Sequence, residues 1–298
     1  QVLAFDIKDT KLKARYQDRL ATTYYRQAEK LRDEKNPELA AQAFLKAADM
    51  AADTKLKATA DFDAATVLLN AEKFKEAIPV LIAFRTRHPD SPLSQDIPEK
   101  LAVAYEKSDD LGNAALQYQA IAARDQKKNP AASREALWLA AETFEKIKQP
   151  EQALKIYQQY SADTTNPVDL RAEAVYRIYT YNDKNNLVTE AQSSLKNLAQ
   201  IYDKLGDKAP PRIRYFGALA HFKMTQPLYD NFAAITLKQP LKPNLLAKKK
   251  AMQAALIAYN QVANIGVAEF TTAANYQQAQ IYQKLAADLI ASEKPKGL

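Results

Sequence analysis

The residues with the greatest capacity for chemistry lie in one short stretch, Arg87–Asp96 (RHPDSPLSQD), where His88, Asp90 and Ser91 fall within four residues. These are the side-chain types of a hydrolytic triad, in which a histidine oriented by a carboxylate activates a serine hydroxyl beside an oxyanion hole. Neighbouring residues of one exposed turn do not normally supply that arrangement. Pro89 stops a helix, and aspartate and serine favour turns. The stretch therefore predicts a structural joint and not a catalytic site.

The same stretch predicts where the next helix begins. Asp96 and Glu99 stand three residues apart on either side of Pro98. An aspartate followed three residues later by glutamate forms a capping box, and proline is favoured in the first helical turn. Leu81 and Phe84 belong to the helix that ends before the joint. We therefore expect the stretch to connect two helical hairpins.

Other sequence features that resemble ligand sites do not predict a metal or a cofactor. Asp183–Glu190 (DKNNLVTE) begins like a calcium loop, but Leu187 is its fifth residue and the turn glycine that should follow is missing. The five glycines lie too far apart to form a phosphate-binding or dinucleotide-binding loop. With no cysteine and only two histidines, the chain lacks the residues of zinc fingers, thiol nucleophiles and His-rich metal sites.

The charged residues predict a solvated surface and no nucleic-acid interface. The net charge is +7, from 42 basic and 35 acidic residues, and the two signs are interspersed along the chain. The densest basic run, Lys248–Lys250, is predicted to be the exposed face of a helix. Between Ala251 and Gln283 the only charge is Glu269, yet Gln, Asn and Thr recur there at amphipathic spacing. That pattern predicts two packed helices and no transmembrane segment.

The elements that must position these residues are predicted by an internal repeat. Only 5 of the 298 residues are glycine, where average usage gives about 20, so helices are favoured over tight turns. In each repeat a small residue is followed by a large residue three positions later. Counted from the same small residue, a second small residue stands twelve positions later and a second large residue sixteen positions later. We call these the first small, first large, second small and second large positions. The four sets are Ala28, Leu31, Ala40 and Phe44; Ala65, Leu68, Ala77 and Leu81; Ala102, Tyr105, Ala114 and Tyr118; and Ala141, Phe144, Ala153 and Tyr157.

Successive sets begin 37, 37 and 39 residues apart, a period that fits one helical hairpin per repeat. A small and a large residue three apart share one helix face, so the small one lets another helix approach and the large one fills the gap beside it. The spacing resembles the tetratricopeptide repeat over residues 21–160. That resemblance implies an all-α fold, a right-handed superhelix of antiparallel helix pairs.

The repeat weakens towards the C-terminus. A fifth unit, 169–204, keeps a helical hairpin but loses the frame, with Glu190 and Ser194 at the second small and second large positions. After residue 207 the pattern changes altogether. We therefore expect a solenoid of about five helix pairs over 1–207 and a C-terminal helical cap over 208–298 that continues it.

Within the predicted cap, helices alternate with an irregular segment. Residues 213–223 are predicted to be a helix. Residues 224–244 contain three prolines and are predicted to be irregular, with a short extended piece at 232–237. Two long helices are expected to follow, over 245–264 and 268–292.

Function is expected on the first helix of each pair, because stacked pairs curve and their first helices line the concave side. Aromatic rings flanked by polar groups suit the binding of a peptide or a partner helix, although rings at this spacing also close gaps between units. The acidic members Glu29, Glu99 and Glu142 predict a protein partner with Lys or Arg in the bound segment. The predicted groove residues are Tyr25, Glu29, Phe62, Thr66, Asn70, Glu99, Val103, Trp138, Glu142, Tyr179 and Asn182.

Two stretches indicate a cellular setting. The joint Arg87–Asp96 resembles the YPDS connector of bacterial envelope tetratricopeptide proteins, such as the lipoproteins of the outer-membrane barrel-assembly machinery, with His88 in place of tyrosine. The tail Tyr259–Leu298 resembles the ends of repeat regions in large periplasmic proteins of gliding-motility and TonB-type systems. These resemblances imply a non-catalytic scaffold or adaptor in the bacterial periplasm and a chain that is part of a longer protein. The start at Gln1 favours a processed chain, and the removal of a signal peptide or lipid anchor stays open.

Two other functional interpretations stay open at the level of sequence. One is the helical domain of an envelope enzyme, or an adaptor of a periplasmic protease or peptidoglycan hydrolase. The other is an enzyme in its own right, because carboxylates can converge from distant helices.

Overall fold

The computed structural model describes residues 8–292, and all regular structure in that range is helical. Two short 3₁₀ segments, Pro92–Asp96 and Gly206–Lys208, accompany the α-helices. The α-helices are α1 (Thr10–Asp33), α2 (Pro37–Met50), α3 (Thr54–Asn70), α4 (Phe74–Arg87), α5 (Ile97–Lys107), α6 (Leu111–Asp125), α7 (Pro130–Lys146), α8 (Pro150–Ala162), α9 (Val168–Lys184), α10 (Val188–Leu205), α11 (Pro211–Ala234), α12 (Leu241–Asn264) and α13 (Ala268–Ile290). The prediction of an all-α helical solenoid is confirmed.

The chain divides into two compact units, whose boundary lies between Ile156 and Tyr157 inside α8. Unit 1 contains α1 to α7 and the start of α8, and unit 2 contains the rest. Within each unit, helices that are neighbours in sequence pack on one another. The boundary predicted at residue 207, between the solenoid and the C-terminal cap, rests on the sequence pattern and stays a prediction.

One turn geometry closes five successive hairpins. In each turn a non-glycine residue has a positive φ between 57° and 63°, and the residue after it donates its N–H to the carbonyl five residues before the donor. This helix ending satisfies a carbonyl that the last helical turn would otherwise leave without a donor. The positive-φ residues are Lys35, Glu72, Asp109, Lys148 and Asn186, spaced 37, 37, 39 and 38 residues apart.

The carbonyl that accepts this bond marks the repeat frame. In the first four hairpins it belongs to the first large position, and in the fifth it belongs to Asn182, whose carbonyl lies 2.9 Å from the nitrogen of Leu187. The first small position of the fifth hairpin is therefore Tyr179. The acceptors of the first four hairpins are Leu31, Leu68, Tyr105 and Phe144.

The second helix of the fifth hairpin, α10, keeps the repeat one residue later than predicted. Ala191 and Leu195 occupy its second small and second large positions, and both are buried in one core. The expectation that Glu190 and Ser194 stand there is wrong, because the fifth turn follows the fourth after 38 residues and not 37. The fifth unit thus departs from the pattern only on its first helix.

The small positions are places of close helix contact. All eight alanines at these positions are at most 2% exposed, while Phe44 and Leu81 fill the second large positions of the first two hairpins and are also buried. A larger side chain at a small position would push two helices apart. The eight are Ala28, Ala40, Ala65, Ala77, Ala102, Ala114, Ala141 and Ala153.

The joint Arg87–Asp96 contains a helix end and a short 3₁₀ segment. Helix α4 ends at Arg87, as Pro89 predicts. The predicted capping box is absent, because Asp96 continues the 3₁₀ segment with helical backbone angles (φ −91°, ψ −6°) and its side chain caps nothing. A capping residue needs a non-helical backbone, so that its side chain can reach back to the first amides. Glu99 instead binds Arg124 of α6, whose Nη1 lies 2.9 Å from its Oε2.

The irregular segment predicted for residues 224–244 is mostly helical, and the predicted extended piece at 232–237 is helical as far as Ala234. Helix α11 continues to that residue with Pro227 inside it. Proline removes one backbone bond, but Phe232 and its neighbours pack against α12 and α13 and hold the helix together. The other two prolines are harmless, because Pro240 precedes α12 and Pro243 lies in its first turn, where no N–H is needed.

The two long helices predicted near the C-terminus are α12 and α13. Tyr259 of α12 and Phe270 and Ile281 of α13 are buried in a shared core. No helix within residues 8–292 combines the length and apolarity needed to cross a membrane.

Lys248 corrects the prediction that Lys248–Lys250 is an exposed basic face. Its side chain is 0% exposed, whereas its two neighbours are exposed. The ammonium group donates to the carbonyls of Phe232 (3.1 Å) and Ile235 (2.8 Å) and lies 2.6 Å from Oδ2 of Asp288. The end of α11 needs donors for its last carbonyls, and this lysine supplies them from α12.

Gly217 of α11 is required by a close approach. A Cβ atom there would lie 2.3 Å from Cγ and 2.5 Å from Cβ of Tyr202. We expect Gly217→Ala to lower the free energy of unfolding by about 2 kcal/mol, because α10 and α11 would have to separate. Gly112→Ala is the control: its Cβ would meet only Ile147 at 3.9 Å, so a gain of about 0.5 kcal/mol is expected. Urea unfolding of both variants measures the difference.

The buried Lys248–Asp288 pair predicts an acid-dependent stability. Burial alone would raise the pKa of Asp288, but hydrogen bonds from Lys248 and Lys284 outweigh it and hold this pKa below its ordinary value. Asp288→Asn leaves the buried ammonium without an anion, so we expect a loss of about 3 kcal/mol at neutral pH. A depressed folded-state pKa gives stability that is present above the ordinary pKa of 3.8 and lost as pH falls through the folded value.

The difference between wild type and Asp288→Asn should therefore shrink at acidic pH, where the wild-type carboxyl is itself protonated. Lys284→Ala is the matched control, because Lys284 is half-exposed on the same carboxylate and an exposed pair contributes about 0.5 kcal/mol. A variant difference that is constant down to pH 2 would contradict this assignment.

Candidate functional site

Eight of the nine predicted groove residues of unit 1, all but Asn70, fall on one register of the first helices α1, α3, α5 and α7, three residues before and one after the first small position. We call these eight places the first-helix face. They are Tyr25, Glu29, Phe62, Thr66, Glu99, Val103, Trp138 and Glu142.

Tyr25 lies partly inside the fold. Its ring packs edge-on against Phe44 of α2, with centroids 5.0 Å apart, and its hydroxyl donates to Asp63 of α3. Burial, together with this hydrogen bond, raises the pKa of Tyr25. The tyrosine therefore joins α1 to α2 and α3 and offers little free ring to a partner.

Phe62 is also occupied by its own chain. Its ring meets Phe84 of α4 edge-on at 5.6 Å, and the Lys100 ammonium of α5 lies 5.1 Å from its centroid. Thr66 donates its hydroxyl to the Phe62 carbonyl at 2.9 Å. Phe62 therefore contributes to packing within the second hairpin and against the third, and the Thr66 bond stays inside α3.

Glu99 is paired within the chain. Arg124 binds both of its carboxylate oxygens and also pairs with Asp125. Hydrogen bonds from Arg124 lower the pKa of Asp125. Of the three acids predicted to attract a basic partner, Glu99 is therefore already neutralised by a neighbour.

The free part of the first-helix face lies on α5 and α7. Val103 is 47% exposed, and Glu142 is exposed one turn from Leu139, which is 39% exposed. Glu29 and Trp138 are half-buried. Asn70 is exposed at the last position of α3.

Sequence analysis missed Asp63 and Lys100, which the structure places against Tyr25 and Phe62. Both stand two residues before the first small position, as does Arg26 on α1. Their charges alternate in sign at the repeat spacing of 37 residues, a signal that was present in the sequence.

In unit 2 the corrected frame changes which residues belong to the equivalent face of α9. Tyr176 and Thr180 stand three before and one after the first small position. Tyr176 stacks on Phe216 at 4.6 Å, under the guanidinium of Arg212. Tyr179, which was predicted to line the groove, is a buried member of the core.

Asn182, also predicted for the groove, is buried at a recess of about 180 Å³ between α9, α10 and α11. Burial, with the charge and hydrogen bond of Asp183, raises the pKa of the neighbouring Tyr179 to about 12. We call this the Asn182 recess. Its lining is Tyr179, Asn182, Asp183, Asn186, Leu187, Val188, Ala191, Gln192, Leu195 and Lys223.

The joint after α4 places its histidine against a buried acid. The Nε2 atom of His88 lies 2.7 Å from Oδ2 of Asp61, and Arg87 lies 3.4 Å from the other oxygen of that carboxylate. The Ser94 hydroxyl donates to the His88 carbonyl, and the Ser91 hydroxyl accepts the N–H of Leu93. The hydroxyls thus bond to the main chain, and the imidazole anchors the joint to α3.

A recess of about 610 Å³ lies between this joint and the first two turns of α3. Its rim combines Lys55 and Arg87 with Asp90, and Ala58 and Leu93 contribute apolar walls. Elsewhere, the calcium-like stretch Asp183–Glu190 forms the fifth hairpin turn. Within residues 8–292, no three His, Cys, Asp or Glu side chains are grouped so as to hold a metal ion.

Comparison with known proteins gives no assignment by sequence. No family model matches the chain, and no curated protein matches it. Similar solved structures include a tetratricopeptide repeat protein from Parabacteroides merdae, with 10% identity, coverage of 88% of this chain and 98% of that one, and a TM-score of 0.35. BtubC from P. vanneervenii has 13% identity, covers 96% and 95%, and has a TM-score of 0.27.

A computationally designed cyclic homo-oligomer is also similar, with 16% identity, coverage of 94% and 97%, and a TM-score of 0.19. These TM-scores are too low to carry an argument. The class of the protein, an all-α solenoid of helical hairpins, rests on its own five turns and alanine contacts.

The two kinds of residue on the first-helix face can be separated by their effect on stability. Phe62→Ala should lower the free energy of unfolding by about 2 kcal/mol, because it empties the contact with Phe84. Val103→Ala should change it by less than about 0.5 kcal/mol, because the side chain is exposed. Denaturant titration distinguishes the two; equal effects would show that Val103 is also part of the core.

Proposed function

We propose that this chain is a non-catalytic scaffold that binds segments of other proteins on the first-helix face of unit 1. The observation that carries the proposal is the exposure of Val103 and Glu142, an aliphatic side chain and an acid at the register of the predicted groove, with the exposed Leu139 three residues before Glu142 on α7. Tyr25 and Phe62, two aromatic members of the face, are engaged within the fold and leave little free ring for a partner.

Two exposed aliphatic side chains on rigid helices suit recognition of a short segment. Helices present their side chains in fixed positions, so binding costs little ordering of the scaffold itself. Apolar anchors supply the affinity, and polar neighbours set the register of the bound segment.

The partner segment is expected to combine apolar and basic residues. Glu142 is exposed and Glu29 is half-buried, and neither forms an ion pair within the described chain like that of Glu99. Because Glu99 is already neutralised, the electrostatic contribution to partner binding should come mainly from Glu142 and not equally from all three acids.

We further propose that the scaffold works in the bacterial periplasm as a module of an envelope complex. Support comes from the HPDS joint and from the tail beginning at Tyr259, which resemble segments of envelope repeat proteins. The absence of cysteine is compatible with an oxidising compartment. Fractionation of the source cells, with periplasmic and cytoplasmic marker proteins, tests this localisation; recovery only with the cytoplasmic marker would overturn it.

A pull-down from envelope extract with the tagged chain tests the binding face. We expect Val103→Lys to reduce recovery of specific partners at least tenfold, because a charge replaces an apolar anchor at a cost of about 1.4 kcal/mol or more. Leu39→Lys is the matched control, since Leu39 is 52% exposed on the second helix α2 and outside the first-helix face.

Glu142→Lys adds a test of the partner's charge. It should weaken recovery most at low ionic strength, and its effect should fade as salt is added. If Val103→Lys and Leu39→Lys recover the same partners in the same amounts, the first-helix face is not the binding surface.

A further inference from the structure

Asn182 is a polar residue at a position that is apolar or aromatic in the other four hairpins. The first large position is filled by leucine, tyrosine or phenylalanine in hairpins one to four and by asparagine in the fifth, although the backbone turn around it is unchanged. The preceding small position changes in the opposite sense, from alanine to Tyr179. The exchange places a carboxamide in the wall of a recess, whereas recesses at the same position of the first and fourth hairpins are lined by Leu31 and Phe144.

The side chain of Asn182 is buried but makes no hydrogen bond to residues 8–292. The residue is 5% exposed and lines the Asn182 recess. A carboxamide carries two donors and an acceptor, and the polar atoms of Asn182 are open to the recess and not enclosed by the fold. These atoms can therefore bond to water or to a polar group that enters the recess.

The volume and charges of the recess favour a neutral, amide-sized occupant. About 180 Å³ is room for about six water molecules at their liquid volume, or for one side chain of medium size. The rim holds Asp183 and Lys223, whose opposite charges balance, and Asp183 is already bonded to the Tyr179 hydroxyl. Leu187 and Val188 add exposed apolar surface for the stem of an entering side chain.

We propose that the Asn182 recess is a binding site for an amide group of a partner segment, whose donor and acceptor pair with those of Asn182. A carboxamide side chain and a main-chain peptide group present the same chemistry, so both are sources of the ligand. The inference rests on the proposed function in one respect only, that the occupant belongs to another protein. The site itself lies in unit 2, apart from Val103 and Glu142.

The test is nuclear magnetic resonance titration of the full chain with three capped tripeptides, acetyl-Gly-Gln-Gly-amide, acetyl-Gly-Gly-Gly-amide and acetyl-Gly-Glu-Gly-amide. The reporters are the side-chain NH₂ signals of Asn182 and the backbone amides of Asn186, Leu187 and Val188. We expect saturable shifts with the glutamine peptide below about 10 mM. If acetyl-Gly-Gly-Gly-amide gives the same shifts, the ligand group is the main-chain amide, and this result also supports the site.

Asn182→Leu restores the side chain that other hairpins carry at this position. We expect it to raise Tm by about 3 °C, because it fills the recess with apolar volume, and to weaken binding of the glutamine peptide at least tenfold. Asn182→Asp keeps the shape and removes the donor, and it should also weaken binding. Asn197→Leu, on an exposed asparagine of the same helix pair, is the matched control and should bind like wild type.

The proposal is overturned if no peptide gives saturable shifts at the Asn182 signals, if Asn182→Leu binds as tightly as wild type, or if the glutamate peptide binds more tightly than the glutamine peptide. These outcomes are separable from the scaffold proposal. Asn182→Leu leaves the first-helix face of unit 1 intact, and Val103→Lys leaves the Asn182 recess intact.

Discussion

The structure depends on how each helical hairpin closes. A helix that ends leaves carbonyls without donors, and the left-handed residue after it turns the chain so that the next N–H reaches back to the carbonyl of the first large position. That bond fixes the number of residues between the two helices. It therefore decides which side chains of the second helix face the first, and the alanine contacts follow from it. The constant distance of twelve residues from the first to the second small position follows from this turn.

Because the turn sets the spacing, the hairpins could be predicted from sequence alone. The frame of the fifth unit could not, since only the backbone shows that its turn comes one residue late. Lys248 was misjudged for a different reason: a lysine run resembles an exposed face until the carbonyls at the end of α11 are seen to need a donor. The helix through Pro227 was missed because packing against α12 and α13 outweighs the lost bond.

The candidate sites were likewise predictable from sequence only in part. Register placed Tyr25 and Phe62 on the first-helix face, but register says nothing about how far a ring is covered. The neighbours that cover them, Asp63 and Lys100, come from the adjacent hairpin. For Asn182 the signal, a polar residue at a position otherwise filled by large apolar side chains, is visible only once the backbone has fixed the frame of the fifth hairpin. Sequence analysis assigned Asn182 to the groove instead, because the frame given to that unit was one residue early.

The five closing turns have a consequence for cooperativity. None uses glycine, and a left-handed conformation costs other residues about 1 kcal/mol or more. Aspartate and asparagine adopt this conformation more readily, so the cost falls mainly on Lys35, Glu72 and Lys148 and amounts to about 3 kcal/mol, a large fraction of the stability of a small domain. The turns therefore do not hold the hairpins shut; the packed alanines do. A hairpin that loses its neighbour keeps this strain without the compensating contacts, so adjacent hairpins should open together and unfolding should begin where one flank is bare.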